Sequence, residues 1–437
     1  MEIRSLNNAT IYIKSDSCSI LIDPWLIGDL YSGAWSPYSK LQDLSFLSSI
    51  NYVFISHIHE DHWDLATLER IPRDAKILIP NMLVNKVIDR KLRELGFASI
   101  ELVETNKVFF INEYISLKII SPLNAFAQDL DQYENGYEYD ATNIDTSLLL
   151  MDEESQSSHL FLCDNSPYDL NRLIAEMNGD LTTFWYPFNS YAQDYPICYE
   201  NLSENDKCLI YDEMHKKRID ATTAAINQLS PKYCLPHSSD FVLNGPLTDK
   251  FSKYTSADFV ERARVAKRYG QSLTNCAIQS EYLDSGDVMI IKAGDICIKR
   301  NVNHWDKVEP NASLPPFKTA VIADMKNVLC DAFDKMLERT MRFEIDISGA
   351  DDWVIIISTE SIQAIFCFNE KKLFIDKSID LEGRKILRVS LSDKQLSALI
   401  MRELHWNNAM IGCHLRFSRI PNEFCQPVYK ALNFLHA

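Results

Sequence analysis

The chain has 437 residues, 24% of them charged, with 61 acidic against 44 basic side chains and a formal net charge of −17. That balance excludes general nucleic-acid binding, which needs a basic footprint. It leaves room for a phosphate-bearing substrate, because bound metal ions reverse the local sign. The length calls for two or three domains, and a hydrophobic content of 46% supplies a large core.

No apolar run is long enough to span a bilayer, and no basic segment leads into an apolar one at the N-terminus. The expected location is therefore the cytoplasm, with no membrane partner. Eleven cysteines are scattered without a Cys-x-x-Cys pair. Several lie in apolar runs (Cys18, Cys163, Cys297, Cys367) and read as buried reduced thiols.

Ala9 to Ile13 and Cys18 to Ile22 read as two strands joined by a Ser-Asp-Ser turn. They lead into Asp23-Pro24-Trp25-Leu26-Ile27-Gly28. Asp23 has two readings: a turn former, which Pro24 favours, or a carboxylate that orients a metal-bound histidine. Residues 29 to 47 are rich in aromatic and turn residues and read as a loop over a site.

The apolar run Tyr52-Val53-Phe54-Ile55 reads as a buried strand. It delivers Ser56-His57-Ile58-His59-Glu60-Asp61-His62. Three histidines and an aspartate in six residues can converge on metal, with imidazoles suiting zinc or iron and the carboxylate adding a harder oxygen ligand. If the strand continues, His57 and His59 point the same way. A following helical turn brings Asp61 and His62 to a second metal. The plain alternative is a polar surface loop, which suits a single histidine better than this cluster.

Trp63 to Arg70 and Val84 to Leu95 have helical spacing, the second closed by Gly96. Strands are expected at 76–80, 100–103, 107–111, 115–120 and 146–151. The acidic, tyrosine-rich segment 128–143 between the last two reads as a solvated loop. The run Leu160 to Cys163 delivers Asp164 at its end, a turn former or a carboxylate able to bridge two metals. His159 falls in the acidic turn before it. Ser190 to Cys198 is a second aromatic, polar loop. Glu204 to Leu229 is helical.

Lys232 to Pro236 is a short strand ending at His237, a core histidine or a last metal ligand. Leu283 to Ile298 is a hairpin with Ser285-Gly286-Asp287 as its turn. Prolines 310, 315 and 316 mark a boundary, giving domains at 1–305 and 317–437. The second is α+β: a helix over 317–342, four strands between 353 and 389, and helices over 395–404 and 424–435. Its histidines, His405, His414 and His436, match no ligand spacing and read as structural.

The motif His57-Ile-His59-Glu-Asp61-His62, with Asp164 and His237 following in order, resembles the metallo-β-lactamase superfamily. Over roughly residues 1–300 the similarity extends to the CMP-N-acetylneuraminate hydroxylase family. It is carried by Asp23-Pro-Trp-Leu-Ile-Gly28, Phe54 to His62, Ile144-Asp-Thr146 and Tyr233-Cys-Leu-Pro236. The diiron β-hydroxylase of chloramphenicol biosynthesis is a more distant relative in chemistry. Residues 317–437 look weakly similar to sterol-carrier-type domains, which line an apolar pocket or mediate dimerisation.

These resemblances imply an α/β fold, the αββα metallo-β-lactamase sandwich, with an α+β C-terminal domain. They imply two metal ions, iron favoured over zinc or manganese. His57, His59 and Asp164 would hold one metal. Asp61, His62, Asp164 and His237 would hold the other, with Asp23 behind them. Family members commonly place a histidine ahead of the bridging aspartate. Its counterpart here is expected to be a carboxylate of the acidic segment, Asp140 or Glu138, with Asn143 weaker.

No Cys-x-His…Cys-x-x-His pattern of a Rieske centre is present, so electrons for an oxygenase would come from a separate protein. The expected activity is hydroxylation of a small polar metabolite or nucleotide sugar, or alternatively hydrolysis of a phosphoester, thioester or amide. Trp25, Tyr31, Trp35, Tyr191 and Asp194 are expected to border the substrate pocket, where aromatic rings offer apolar area with a polar handle.

Overall fold

The computed structural model describes residues 1–82, 85–123, 144–177, 179–188, 194–238, 240–248, 262–342 and 347–437. Two sheets face each other. The first has eight strands in the order Asp295–Lys299, Val288–Lys292, Glu2–Asn7, Thr10–Lys14, Ser19–Ile22, Tyr52–Phe54, Lys76–Pro80, Ile100–Val103. The second has seven, in the order Gln279–Ser280, Tyr233–Pro236, Thr183–Tyr186, Ser157–Phe161, Ser147–Asp152, Ile115–Ile120, Val108–Phe110.

Side-chain alternation builds the space between them. Ile11, Ile13, Ile20 and Ile22 point inward with Phe54 and Leu78 and meet Leu117, Leu148, Leu150, Phe161 and Trp185 of the second sheet. Tyr12, Leu21, Val53 and Ile77 point outward. There they meet Ile88 and Leu92 of the helix Lys86–Glu94, which Gly96 ends with φ +94°. On the far side, Ala225 and Ile226 of the helix Glu204–Leu229 cover the second sheet with Val265 and Tyr269 of the helix Arg262–Ser272. The long helix starts at a capping box of Ser203 and Asp206. The result is the expected αββα layering.

In each sheet one half is parallel. Ser19–Ile22, Tyr52–Phe54, Lys76–Pro80 and Ile100–Val103 run together, as do Ser157–Phe161, Thr183–Tyr186, Tyr233–Pro236 and Gln279–Ser280. Parallel strands release their chains at one edge, and Asp23, Ser56, Asp164 and His237 all follow the carboxyl ends of such strands.

A third, five-stranded sheet lies in the C-terminal part, ordered Lys372–Ile375, Gln363–Cys367, Trp353–Ser358, Lys385–Ser390, Arg416–Ile420. The helices Met325–Arg342, Asp393–Ile400, Trp406–Ile411 and Gln426–Asn433 accompany it. Its core is continuous with Trp25, Tyr31, Trp35, Tyr199 and Phe241 from the N-terminal part.

Several local expectations shift. The strand Glu2–Asn7 precedes the expected hairpin. The hairpin of residues 288–299 turns at Ala293 and Gly294, both with positive φ, and not at Ser285-Gly286-Asp287. The helix expected from Trp63 is only Leu65–Leu68, capped by Asp64. The helix expected from Phe317 begins at Met325. His159 lies within the strand Ser157–Phe161 and not in a turn. All eleven cysteines are free, but Cys297 is exposed because its strand forms the outer edge of the first sheet.

Candidate metal centre

The strand carrying the histidine motif ends at Phe54, so His57 and His59 stand on a loop and do not share a face through strand alternation. The loop nevertheless turns them together. His57 Nε2 lies 2.8 Å from His59 Nδ1 and 3.5 Å from Asp145 Oδ1. A 3-10 turn, Glu60–His62, then swings His62 inward. His62 Nε2 lies 3.2 Å from Asp164 Oδ2 and 3.3 Å from Asp61 Oδ2.

Two groups can each present donor atoms within 4.8 Å of one another: His57, His59 and Asp145, and His57, His62 and Asp164. His57 belongs to both. Asp164 closes on His57 and His62, where the sequence reading also placed it beside His59. Asp145 takes the first-group position expected of Asp140 or Glu138. Those two and Asn143 lie outside the described residues, as does Tyr191.

The partners behind the histidines fix which nitrogen faces the site. Asp23 is fully buried at φ +44° and accepts from three donors: Ser56 N–H at 2.7 Å, Ser56 O–H at 2.8 Å and His62 Nδ1–H at 2.8 Å. With its hydrogen given to Asp23, Ser56 Oγ accepts from His57 Nδ1–H at 2.9 Å. This assignment leaves Nε2 of His57 unprotonated and turns Nε2 of His62 toward the carboxylates. Ser238 O–H donates to Asp164 Oδ1 at 2.6 Å, leaving Oδ2 toward His62. Asp61 accepts from Tyr31 O–H at 2.5 Å and from Asn8 Nδ2 at 2.9 Å.

Burial, reinforced by His62 and His59, pushes the His57 pKa well below the usual imidazole value. Burial also opposes charge on His62, but Asp61, Asp23 and Asp164 overcome it and push its pKa well up. His62 and His57 hold Asp164 far below the ordinary carboxylate range despite its burial.

His237 supplies the test of metal fit. It is fully buried, and among the described residues neither ring nitrogen has a hydrogen-bond partner. Burial, with Arg262 nearby, lowers its pKa to about 3, so the ring is neutral. A buried imidazole left unpaired costs about 1–3 kcal/mol. It lies near enough to Asp164 and His62 to feel their charges. The sequence reading grouped it with Asp61, His62 and Asp164, but neither His237 nor Asp61 falls in the two donor groups. A bound ligand would account for the unpaired nitrogens of His237, and the mixed nitrogen and carboxylate donors of the groups fit a pair of first-row transition metals.

The expected pocket residues are placed differently. Trp25 and Trp35 are core residues, and Trp35 stacks on Phe241 with ring centroids 3.8 Å apart. Tyr31 is buried with its hydroxyl on Asp61. Asp194 is half-buried near Arg419, and loss of hydration raises its pKa to about 6. Sequence reasoning missed Asp145, Asn8, Ser56 and Ser238. Only Asp145 had a signal, the acidic residue between Ile144 and the apolar strand that follows.

Residues 2–143 match the model of the β-lactamase superfamily domain. In that match, in the facing sheets and in the histidine loop at their edge, the N-terminal part of the chain is similar to the metallo-β-lactamase superfamily. The chain is 24% identical over 241 residues to a putative Rieske 2Fe-2S iron-sulfur protein of Mycobacterium tuberculosis, covering 54% of this chain and 43% of that one. It is 35% identical over 71 residues to the cytidine monophosphate-N-acetylneuraminic acid hydroxylase of Asterias rubens, covering 16% and 11%. A solved structure, the metallo hydrolase Igni18 of Ignicoccus hospitalis, superposes with a TM-score of 0.41 at 12% identity, covering 68% and 98%. The chain spans less than half the length of the iron-sulfur relatives it matches. Among the described residues, no helix is long and apolar enough to cross a membrane.

Proposed function

We propose that the chain is a metal-dependent enzyme with a dinuclear centre that favours iron and oxidises a small polar metabolite or nucleotide sugar by hydroxylation. The observation that carries this reading is Asp145. It adds a carboxylate to the His57–His59 group, where a third histidine would make a softer, zinc-like set. With Asp61 and Asp164 the centre becomes rich in oxygen donors and anionic. When bound, a diiron pair supplies the redox chemistry that dioxygen requires.

The chain's own residues set the stage. Asp23 and Ser56 hold His62 and His57 in the tautomer that binds metal, and Ser238 holds Asp164 by one oxygen. The relatives named as an iron-sulfur protein and as a hydroxylase support oxygen chemistry. Hydroxylation by dioxygen consumes electrons, so the reading includes an electron donor.

One observation favours a second reading, hydrolysis. Four histidines, 57, 59, 62 and 237, also suit zinc, which lowers the pKa of bound water to about 7. Metal analysis of the purified protein, with an absorption spectrum of the iron-loaded form before and after exposure to air, separates the two. Two irons per chain and an air-dependent spectral change are expected. Stoichiometric zinc with no iron overturns the oxygenase reading.

A further inference from the structure

The loop that holds the metal motif is gripped from the far end of the chain. Glu60, between His59 and Asp61, accepts from Asn408 Nδ2 through Oε1 at 2.5 Å and from Tyr31 N–H through Oε2 at 3.0 Å. His414 Nε2–H donates to the Tyr31 carbonyl at 2.6 Å. The Tyr31 hydroxyl then reaches Asp61. Asn408 belongs to the helix Trp406–Ile411, and His414 follows it.

The segment they hold is strained. Tyr31 and Ser32 have φ of +51° and +56°, left-handed backbone that costs about 1–2 kcal/mol per non-glycine residue. Such a turn persists only when its surroundings impose it. Gly33 continues it at φ +85°, where an added Cβ would stand 2.5 Å from the Pro315 ring. Asn244 Nδ2 donates to the Gly33 carbonyl at 2.9 Å. Asn408, His414 and Pro315 thus fix from the C-terminal side a turn whose Tyr31 hydroxyl ends on Asp61.

We propose that the C-terminal region is a working part of the metal centre, with Asn408 and His414 as positioning residues that act through Glu60 and Tyr31 on Asp61. Residues 406–414 set the orientation of the Asp61 carboxylate beside His62 and thereby the affinity of the metal held there. They touch neither metal nor substrate. This inference rests on the reading of the His57–His62 loop as a metal site.

The test is metal titration of the full chain with Co(II) and with Zn(II) against a chromophoric chelator, following the Co(II) visible bands. The wild type is expected to bind two equivalents; a wild type that binds none overturns the metal-site reading itself. Asn408→Asp places a carboxylate against Glu60. It should weaken one equivalent about 10–100-fold, the range for partners behind metal ligands, and leave the other unchanged. Tyr31→Phe should weaken the same equivalent, and its effect should not add to that of Asn408→Asp.

The double variant Glu60→Gln/Asn408→Asp reverses the polarity of the pair. The amide introduced at position 60 then donates to the carboxylate introduced at position 408, while the amide oxygen still accepts from Tyr31 N–H, so wild-type affinity should return. If Asn408→Asp fails to fold, Asn408→Ala is titrated in its place beside the double variant. Wild-type titration by the single variant, or a loss that the double variant does not restore, overturns the positioning role. A melting curve accompanies each variant, so that general loosening of the C-terminal region is seen as a lower midpoint.

Discussion

The second sheet buries a histidine in its interior and another at its carboxyl edge. His159 lies within the strand Ser157–Phe161, and His237 follows the strand Tyr233–Pro236. Both are fully buried, and burial lowers the pKa of each to about 3. His159 pairs Nδ1 with Thr183 Oγ1 at 2.7 Å and Nε2 with Ser157 Oγ at 2.8 Å. His237 pairs neither nitrogen among the described residues. Equal burial thus serves two ends. The interior histidine is satisfied by the protein and belongs to the core, while the edge histidine is left unpaired by the described residues.

The largest effect should come from removing donors. His57 is shared by both donor groups, so His57→Ala should abolish binding of both metals, read by elemental analysis. His237→Ala should cost one metal more than the 10–100-fold typical of outer partners and leave the metal-free melting point near that of the wild type. His159→Ala should do the opposite, destabilising the protein while leaving metal stoichiometry intact. If the two variants behave alike, the contrast between interior and edge fails.

Asp23→Asn comes next. It removes the charge that holds His62 Nδ1–H and Ser56, and should lower metal affinity about 10–100-fold without changing the fold, checked by chelator competition and circular dichroism. Removing metal from the wild type should have a milder effect. A ligand at a hundred times its Kd stabilises the folded state by about 2.7 kcal/mol. Chelation should therefore lower the melting midpoint by a few degrees, and His57→Ala should show no such shift.

The legibility of the sequence follows the same division. His57, His59, Asp61 and His62 could be read because the cluster is local. Asp164 and His237 could be read because an apolar strand points at each. Asp145 was obscured by its neighbours in a stretch crowded with acidic residues, and it stands before a strand instead of after one. Asn8, Ser56 and Ser238 gave no signal, since a hydrogen-bond partner is chosen by the fold and many polar residues could serve.

The fold shows the same pattern. The apolar runs marked the inner strands, and the long helix 204–229 lies where it was read. The strand Glu2–Asn7 escaped, because Arg4, Ser5 and Asn7 dilute its alternation. Trp25, Tyr31 and Trp35 suggested a pocket rim, but aromatic residues in a turn-rich segment can equally pack inward, and here a C-terminal region far away in sequence covers them.

The smallest effect is the most direct test of the interior histidine. His159 titrates near 3 in the folded chain, against about 6.5 when unfolded. Its folded-state pKa is depressed, so the unfolded chain binds the extra proton as pH falls. The stability His159 contributes is therefore full above pH 6.5 and is lost between about 6.5 and 3, by at most about 1.4 kcal/mol per pH unit. His159→Gln keeps a polar group for Thr183 and Ser157 but does not titrate. At pH 7.5 the variant should be less stable by about 1 kcal/mol, for imperfect hydrogen bonds. Below pH 6 the difference should shrink and then change sign, because only the wild type carries the proton penalty. Denaturant midpoints at pH 7.5, 6 and 5 would show it. The other buried histidines, among them His215 at about 3 and His405 at about 4, slope the same way in both proteins and cancel in the difference. A difference that stays constant over that range would mean that His159 exchanges protons with solvent in the folded chain, and the contrast with His237 would lose its interior half.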